Sequence, residues 1–208
     1  MTTRREFLQA GIAASALPLG AVAVTPAEPI PDAAAAASPA PSASAFYKVV
    51  FDERFPESVA FAAEMKRRGA TIHGIAGDMT DLWYHDLYAR WRASPAPIAG
   101  LTAHGPLFCL ERLAWDHGMR VLFRAEHQFR ADACMEHVLS APDAVLNEAA
   151  NLTSAGEHWS LYIASLVSRC PLLGSQSSAS ILSSSAHGGG ADRDPLFSWI
   201  IAPVARSL

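Results

Sequence analysis

The chain has 208 residues, half of them hydrophobic, and a formal net charge of −4 at neutral pH. That apolar share supports a buried core and excludes a wholly disordered chain. Lys66, Arg67 and Arg68 are the only basic run beyond the N-terminus, so the sequence offers no clustered Lys and Arg of the kind a nucleic-acid surface needs.

The chain opens Thr3-Arg4-Arg5-Glu6-Phe7-Leu8-Gln9, followed by a mildly apolar stretch from Ala10 to Val24. A charged start, an apolar middle and a small-residue end make a removable signal. The stretch is interrupted by Pro18 and Gly20 and is too weakly apolar for a membrane-spanning helix, which needs about 20 apolar residues. Ala21-Val22-Ala23 and Ala43-Ser44-Ala45 each supply an A-x-A cleavage site. The opening resembles the twin-arginine signal family, whose pattern is Ser or Thr, two arginines, any residue, Phe, Leu and often Lys; here Gln9 stands in the last place. The resemblance, over residues 1–24, implies recognition by the twin-arginine export machinery, export as a folded protein, a periplasmic location and removal of the signal at one of the two A-x-A sites.

Residues 25–45 carry five prolines among alanines and serines, a composition that favours an extended or flexible linker. The globular part is therefore expected over 46–208, a length that suits a single domain.

Phe46–Phe51 reads as a first strand. A helix follows, with Pro56 in its first turn, where the missing N–H costs nothing. Phe55, Val59, Ala62 and Ala63 fall on one helical face. Lys66 to Arg68 complement the dipole at its end, and Gly69 is the stop. Ala70–Ala76 is a second strand, and an aromatic helix through Arg92 carries Trp83, Tyr84, Tyr88 and Trp91. Ile98–Thr102 is a third strand. The next helix runs from about Pro106 to His117, with Leu107, Leu110, Leu113 and Ala114 on one side. Met119–Arg124 is a fourth strand. Helices are expected near 130–139, 142–150 and 157–169, then a Ser/Gly-rich loop over 174–194, and a final strand at Phe197–Ala202. Strands alternating with helices predict an α/β fold: an open, mostly parallel sheet of about five strands with helices on both faces, Rossmann-like or flavodoxin-like in its three layers.

In such sheets ligands bind beyond the carboxyl ends of the strands. That rule selects Asp52-Glu53, Gly77-Asp78, Thr102 to Pro106, and Glu126-His127. At Gly100-Leu101-Thr102-Ala103-His104-Gly105-Pro106 a strand end meets a helix start. Gly105 as a cap would leave the amides of Leu107 and Phe108 free for an anion. The candidate catalytic or ligand-anchoring set is Thr102, His104, Asp78, Glu126 and His127, with Gly105, Leu107 and Phe108 as the anion-binding turn. The G-x-T-x-x-G pattern lacks the middle glycine of a dinucleotide fingerprint. The eight histidines show no H-E-x-x-H or H-x-H spacing, so no metal is assigned, and no cofactor is identified. Cys109, Cys134 and Cys170 form no C-x-x-C pair. Cys109 reads as core, and Cys134–Cys170 is the pair if one disulfide forms. No G-x-S-x-G elbow marks a nucleophile.

Three readings follow: an accessory or small subunit exported with a larger redox enzyme, an independent periplasmic enzyme using the strand-end His, Asp and Glu residues, and a soluble periplasmic ligand-binding module.

Overall fold

A computed structural model describes residues 45–130, 134–172, 175–184 and 193–204. The signal expected over 1–24, the linker over 25–45 save Ala45, and Gly188-Gly189-Gly190 lie outside the described residues. The strands are β1 (Lys48–Asp52), β2 (Ile72–Ile75), β3 (Ile98–Ala103), β4 (Met119–Phe129), β5 (Cys134–Pro142), β6 (Gln176–Ser184) and β7 (Leu196–Pro203). The helices are α1 (Pro56–Arg67), α2 (Thr80–Leu82), α3 (Tyr88–Ala93), α4 (His104–Trp115), α5 (Asp143–Ala149) and α6 (Trp159–Arg169). A π-helical stretch, Trp83–Leu87, joins α2 to α3. No helix among the described residues is long and apolar enough to cross a membrane.

The protein is α/β, but its sheet has seven strands in the order β2-β1-β3-β7-β4-β5-β6. Only β1–β2 and β1–β3 pair in parallel; β3–β7, β7–β4, β4–β5 and β5–β6 are antiparallel. The expectation of a mostly parallel, roughly five-stranded sheet is therefore corrected. Two local errors account for the strand count, and β7, expected in a mostly parallel sheet, runs antiparallel to both of its neighbours. The segment expected as a helix near 130–139 is mostly strand β5, and the segment expected as a loop over 174–194 contains β6. The link from Phe129 to Cys134 is far too short for a crossover connection, so β4 and β5 must pair antiparallel. β5 alternates in burial, with Met135, His137, Leu139 and Ala141 inward. Its Met, Glu, Leu and Ala are good helix formers, yet the tertiary pattern overrides propensity.

Each sheet face carries its own core. On one face α1, α5 and α6 bring Phe61, Met65, Val145, Trp159 and Ile163 onto Ala99, Leu101, Phe123, Leu139 and Ile200. On the other, Leu82, Trp83, Leu87 and Trp91 join Leu107, Leu110 and Ala114 of α4 over Val50, Ile98, Phe197 and Trp199. Burying a side chain such as Phe61, fully enclosed here, contributes up to about 3 kcal/mol. α1 begins at Pro56 with Glu57 in its first turn and Lys66 and Arg67 in its last, as expected. Its inward face is Phe61, Ala62 and Met65, whereas Val59 is exposed and Ala63 points outward.

β7 sits reversed between β3 and β4, so β4 runs in the same direction as β3. The carboxyl ends of β1, β2, β3 and β4 thus share one edge of a sheet that is not parallel. In register, Thr102 pairs with Phe197 and Phe197 with Glu126; one step on, Ala103 pairs with Leu196 and Leu196 with His127.

Candidate functional site

Asp52, Asp78, Thr102 and His104 lie near that shared edge, whereas Glu126 and His127, expected just past a strand ending at Arg124, lie inside β4, which runs on to Phe129. Thr102 is fully buried; its Oγ1 donates to Ala103 O (2.9 Å) and accepts from Trp199 Nε1 (3.2 Å). Gly100 serves the same indole. A Cβ there would stand 2.5 Å from Trp199 Cζ2 and 2.5 Å from Val50 O. The glycine and threonine of the G-x-T-x-x-G pattern therefore seat Trp199 in the core. His104 opens α4, is exposed, and lies with its ring 5.2 Å from Phe197 and 6.1 Å from Phe108. Gly105 is exposed with nothing near its missing Cβ, Leu107 is fully buried, and Phe108 is exposed under the Arg112 guanidinium. Asp78, at the surface, accepts from Thr80 N (2.8 Å) and Thr80 Oγ1 (2.6 Å), which holds its carboxyl below the usual range. Glu126 is half-buried on the α4 face. Among the described residues no hydrogen bond or ion pair joins Asp78, His104 and Glu126. His127 points to the opposite face from Glu126, because adjacent strand residues alternate.

Asp52, also selected from its strand end, is fully buried and accepts from Arg54 Nε (2.8 Å) and Nη2 (2.6 Å). This pair fixes the β1–α1 turn. The Arg54 guanidinium fills the space where a Cβ on Gly77 would stand, and Gly77 has φ 86°. Of the cysteines, Cys109 is exposed rather than core. Burial pushes the Cys170 thiol up to about 12, and no disulfide joins it to Cys134.

The polar group the fold does build lies beneath α6. His127 on β4 and His137 on β5 face each other, both fully buried, with Nδ1 to Nδ1 at 2.8 Å. His127 Nε2 is 2.8 Å from Ser198 Oγ on β7, and His137 Nε2 is 3.0 Å from Ser183 Oγ on β6. A hydrogen-bonded chain thus crosses four strands. Either direction gives every ring nitrogen a partner, and one of them also leaves the Ser183 hydroxyl free to donate to Met135 O. Ser183 donates onward to Met135 O (3.5 Å), so it accepts from His137 Nε2–H. His137 Nδ1 then accepts from His127 Nδ1–H, and His127 Nε2 accepts from the Ser198 hydroxyl. Burial, and for His127 also the neighbouring His137, disfavours protonation. His137 is lowered to about 4 and His127 well below its ordinary value.

Ser198, His127 and His137 have the connectivity of a nucleophile, a base and an orienting group. All three are fully enclosed, so no acyl substrate reaches Ser198 and the chain serves to satisfy polar groups inside the sheet. Trp159 roofs it, with its ring 4.4 Å from His127 and 5.6 Å from His137.

The outer side of Trp159 belongs to a cleft of ≈ 390 Å³, lined by residues from the start of α1 (Pro56, Glu57, Ala60), the end of β4 (Phe129), the run into α6 (Glu157, His158, Trp159, Ser160), and Arg193. That volume is within the range of small-molecule sites, roughly 300–1,000 Å³. Arg193 Nη2 binds both Glu57 oxygens, at 3.0 and 3.2 Å, and its guanidinium lies 4.3 Å from the centre of the Phe129 ring. The cleft thus sets two carboxylates, an imidazole and an oriented guanidinium around a floor to which the nearly buried Phe129 and Trp159 contribute little surface. Among the described residues no group of three His, Cys, Asp or Glu side chains could hold a metal ion.

Sequence reasoning reached His127 but not His137 or the cleft. A hairpin reading of 124–142, with the inward positions mirrored about the turn, would have set the two histidines opposite each other. Nothing in the local sequence brings Glu57, Phe129, Trp159 and Arg193 together. Comparison with protein-family models, curated proteins and solved structures gives no match.

Proposed function

We propose that this chain is an exported periplasmic ligand-binding module, and that its ligand is a small molecule with at least one charged group. The cleft between the starts of α1 and α6 carries this reading. Arg193, Glu57, Glu157 and His158 supply charge of both signs around it, and Arg193 is held in place by Glu57 and the Phe129 ring. The cleft lies at the edge where the parallel strands end, the usual ligand position in open α/β sheets. The export half of the proposal rests on the Arg4-Arg5 signal.

The test is a thermal-shift screen with a panel of small carboxylates and amines, run on the full chain and on Arg193→Gln. A ligand at about a hundred times its Kd stabilises by roughly 2.7 kcal/mol, which raises Tm by roughly 5–10 °C in a domain of this size. A shift of that kind that Arg193→Gln abolishes supports the reading. No shift with any compound, or shifts unchanged in the variant, removes it.

The accessory-subunit reading has one observation of its own. Phe108 and Trp115 are exposed on α4 with the Arg112 guanidinium 5.3 and 4.4 Å from their rings. Aromatic residues and Arg are enriched at protein interfaces. A larger redox protein that co-purifies with the native chain but not with Phe108→Ser/Trp115→Ser would support it.

A further inference from the structure

We infer that the protein forms a two-fold dimer by antiparallel pairing of β6 with the β6 of a second copy. β6 is the outer strand on one side of the sheet. It pairs with β5 over all nine of its residues, and among the described residues its backbone forms no hydrogen bond on the other side. Natural edge strands are blunted by charge, proline, a bulge, shortness or a covering helix or loop. β6 reads Gln-Ser-Ser-Ala-Ser-Ile-Leu-Ser-Ser and has none of the first four; the segment 150–156 packs against it, with Leu152 in the core and Gly156 near the Ser184 carbonyl, and Leu182 stays exposed. The opposite edge, β2, has four residues and offers no comparable ladder.

The strand is complementary to itself. Two copies of one strand related by a two-fold axis pair antiparallel, giving a closed interface rather than a filament. Directly opposed residues must share a face, so the axis has to pass beside a residue rather than between two; otherwise inward residues would meet outward ones. Ser180 is the middle residue, and centring there pairs all nine. Ser178 then faces the partner's Leu182, and Ala179 faces the partner's Ile181. Each large side chain meets a small one on both faces. Leu182, now 57% exposed, gains cover. No charged residue lies on the strand, so no like charges are brought together. A single strand pair is a small interface, which places the dissociation constant in the micromolar range or weaker.

The experiment is sedimentation velocity on the full chain from micromolar to several hundred micromolar, with two variants of exposed positions checked by circular dichroism for an unchanged fold. Ser178→Lys/Leu182→Lys sets lysine against lysine twice across the axis. Ser178→Lys/Leu182→Glu sets lysine against glutamate twice. The expected result is a concentration-dependent dimer that the first variant weakens by at least about tenfold more than the second. A wild-type chain that stays monomeric throughout overturns the inference. So does a dimer that both variants leave intact, or one that both weaken equally.

Discussion

His127 and His137 stand directly opposite each other on β4 and β5, and their Nδ1 atoms are 2.8 Å apart. Two imidazoles can share that distance only if one nitrogen carries a hydrogen and the other does not. Protonating the acceptor would set N–H against N–H inside a closed core.

Stability should therefore fall in mild acid. The folded value of His137 is about 4 and that of His127 lies well below the ordinary 6.5. Between the unfolded and folded values the unfolded chain binds more protons. The stabilisation is complete above pH about 6.5 and is lost progressively as pH falls toward the folded values. For His137 alone the loss is on the order of 3 kcal/mol. Urea unfolding at a series of pH values measures it, and a flat profile across this window would contradict the buried neutral pair.

His127→Leu leaves His137 Nδ1 and the Ser198 hydroxyl buried without partners, at a cost of about 2–4 kcal/mol. His137→Leu should cost a similar amount. The double variant His127→Leu/His137→Leu should cost less than the sum by about 0.5–3 kcal/mol and should lose most of the acid sensitivity. Strict additivity would mean that the two rings act independently.

Gly100 and Gly105 should respond oppositely to alanine. Gly100→Ala drives a Cβ against the Trp199 ring and the Val50 carbonyl and should cost about 1–3 kcal/mol. Gly105 lies in α4 with open space around it, so Gly105→Ala should be neutral or stabilise by up to about 1 kcal/mol. Thr102→Val removes the acceptor for the buried Trp199 N–H and should cost about 1–3 kcal/mol. Thermal unfolding of the three variants checks the ranking. An unchanged Tm in Gly100→Ala would refute the seating of Trp199.

Arg4→Lys/Arg5→Lys should hold the precursor in the cytoplasm in folded form. Fractionation followed by immunoblotting reads this out. Undiminished arrival in the periplasm would show that the twin-arginine reading is mistaken.

The sequence by itself determined the α/β class and five of the strands, because those segments carry strong local signals. Apolar runs such as Lys48–Asp52 and Ile98–Ala103 are bounded by a helix-starting Pro56, a Gly69 at φ 92° and a Gly118 at φ 67°. Strand ends can be counted along the chain, which put Asp52, Asp78, Thr102 and His104 near one edge; Glu126 and His127, expected just past a strand ending at Arg124, lie inside β4. The direction of β7, the strand state of 134–142 and 176–184, and every side-chain partnership were decided only by the tertiary structure. β6 is a serine-rich strand held by its register on β5 rather than by its own propensity, and β5 takes its inward alternation from the sheet it joins. The His127–His137 contact spans only ten positions and follows once 124–142 is read as a hairpin, whereas whether Thr102 faces a ligand or Trp199 turns on a contact across 97 positions. Local periodicity holds no record of such contacts; they exist only once the strands have packed.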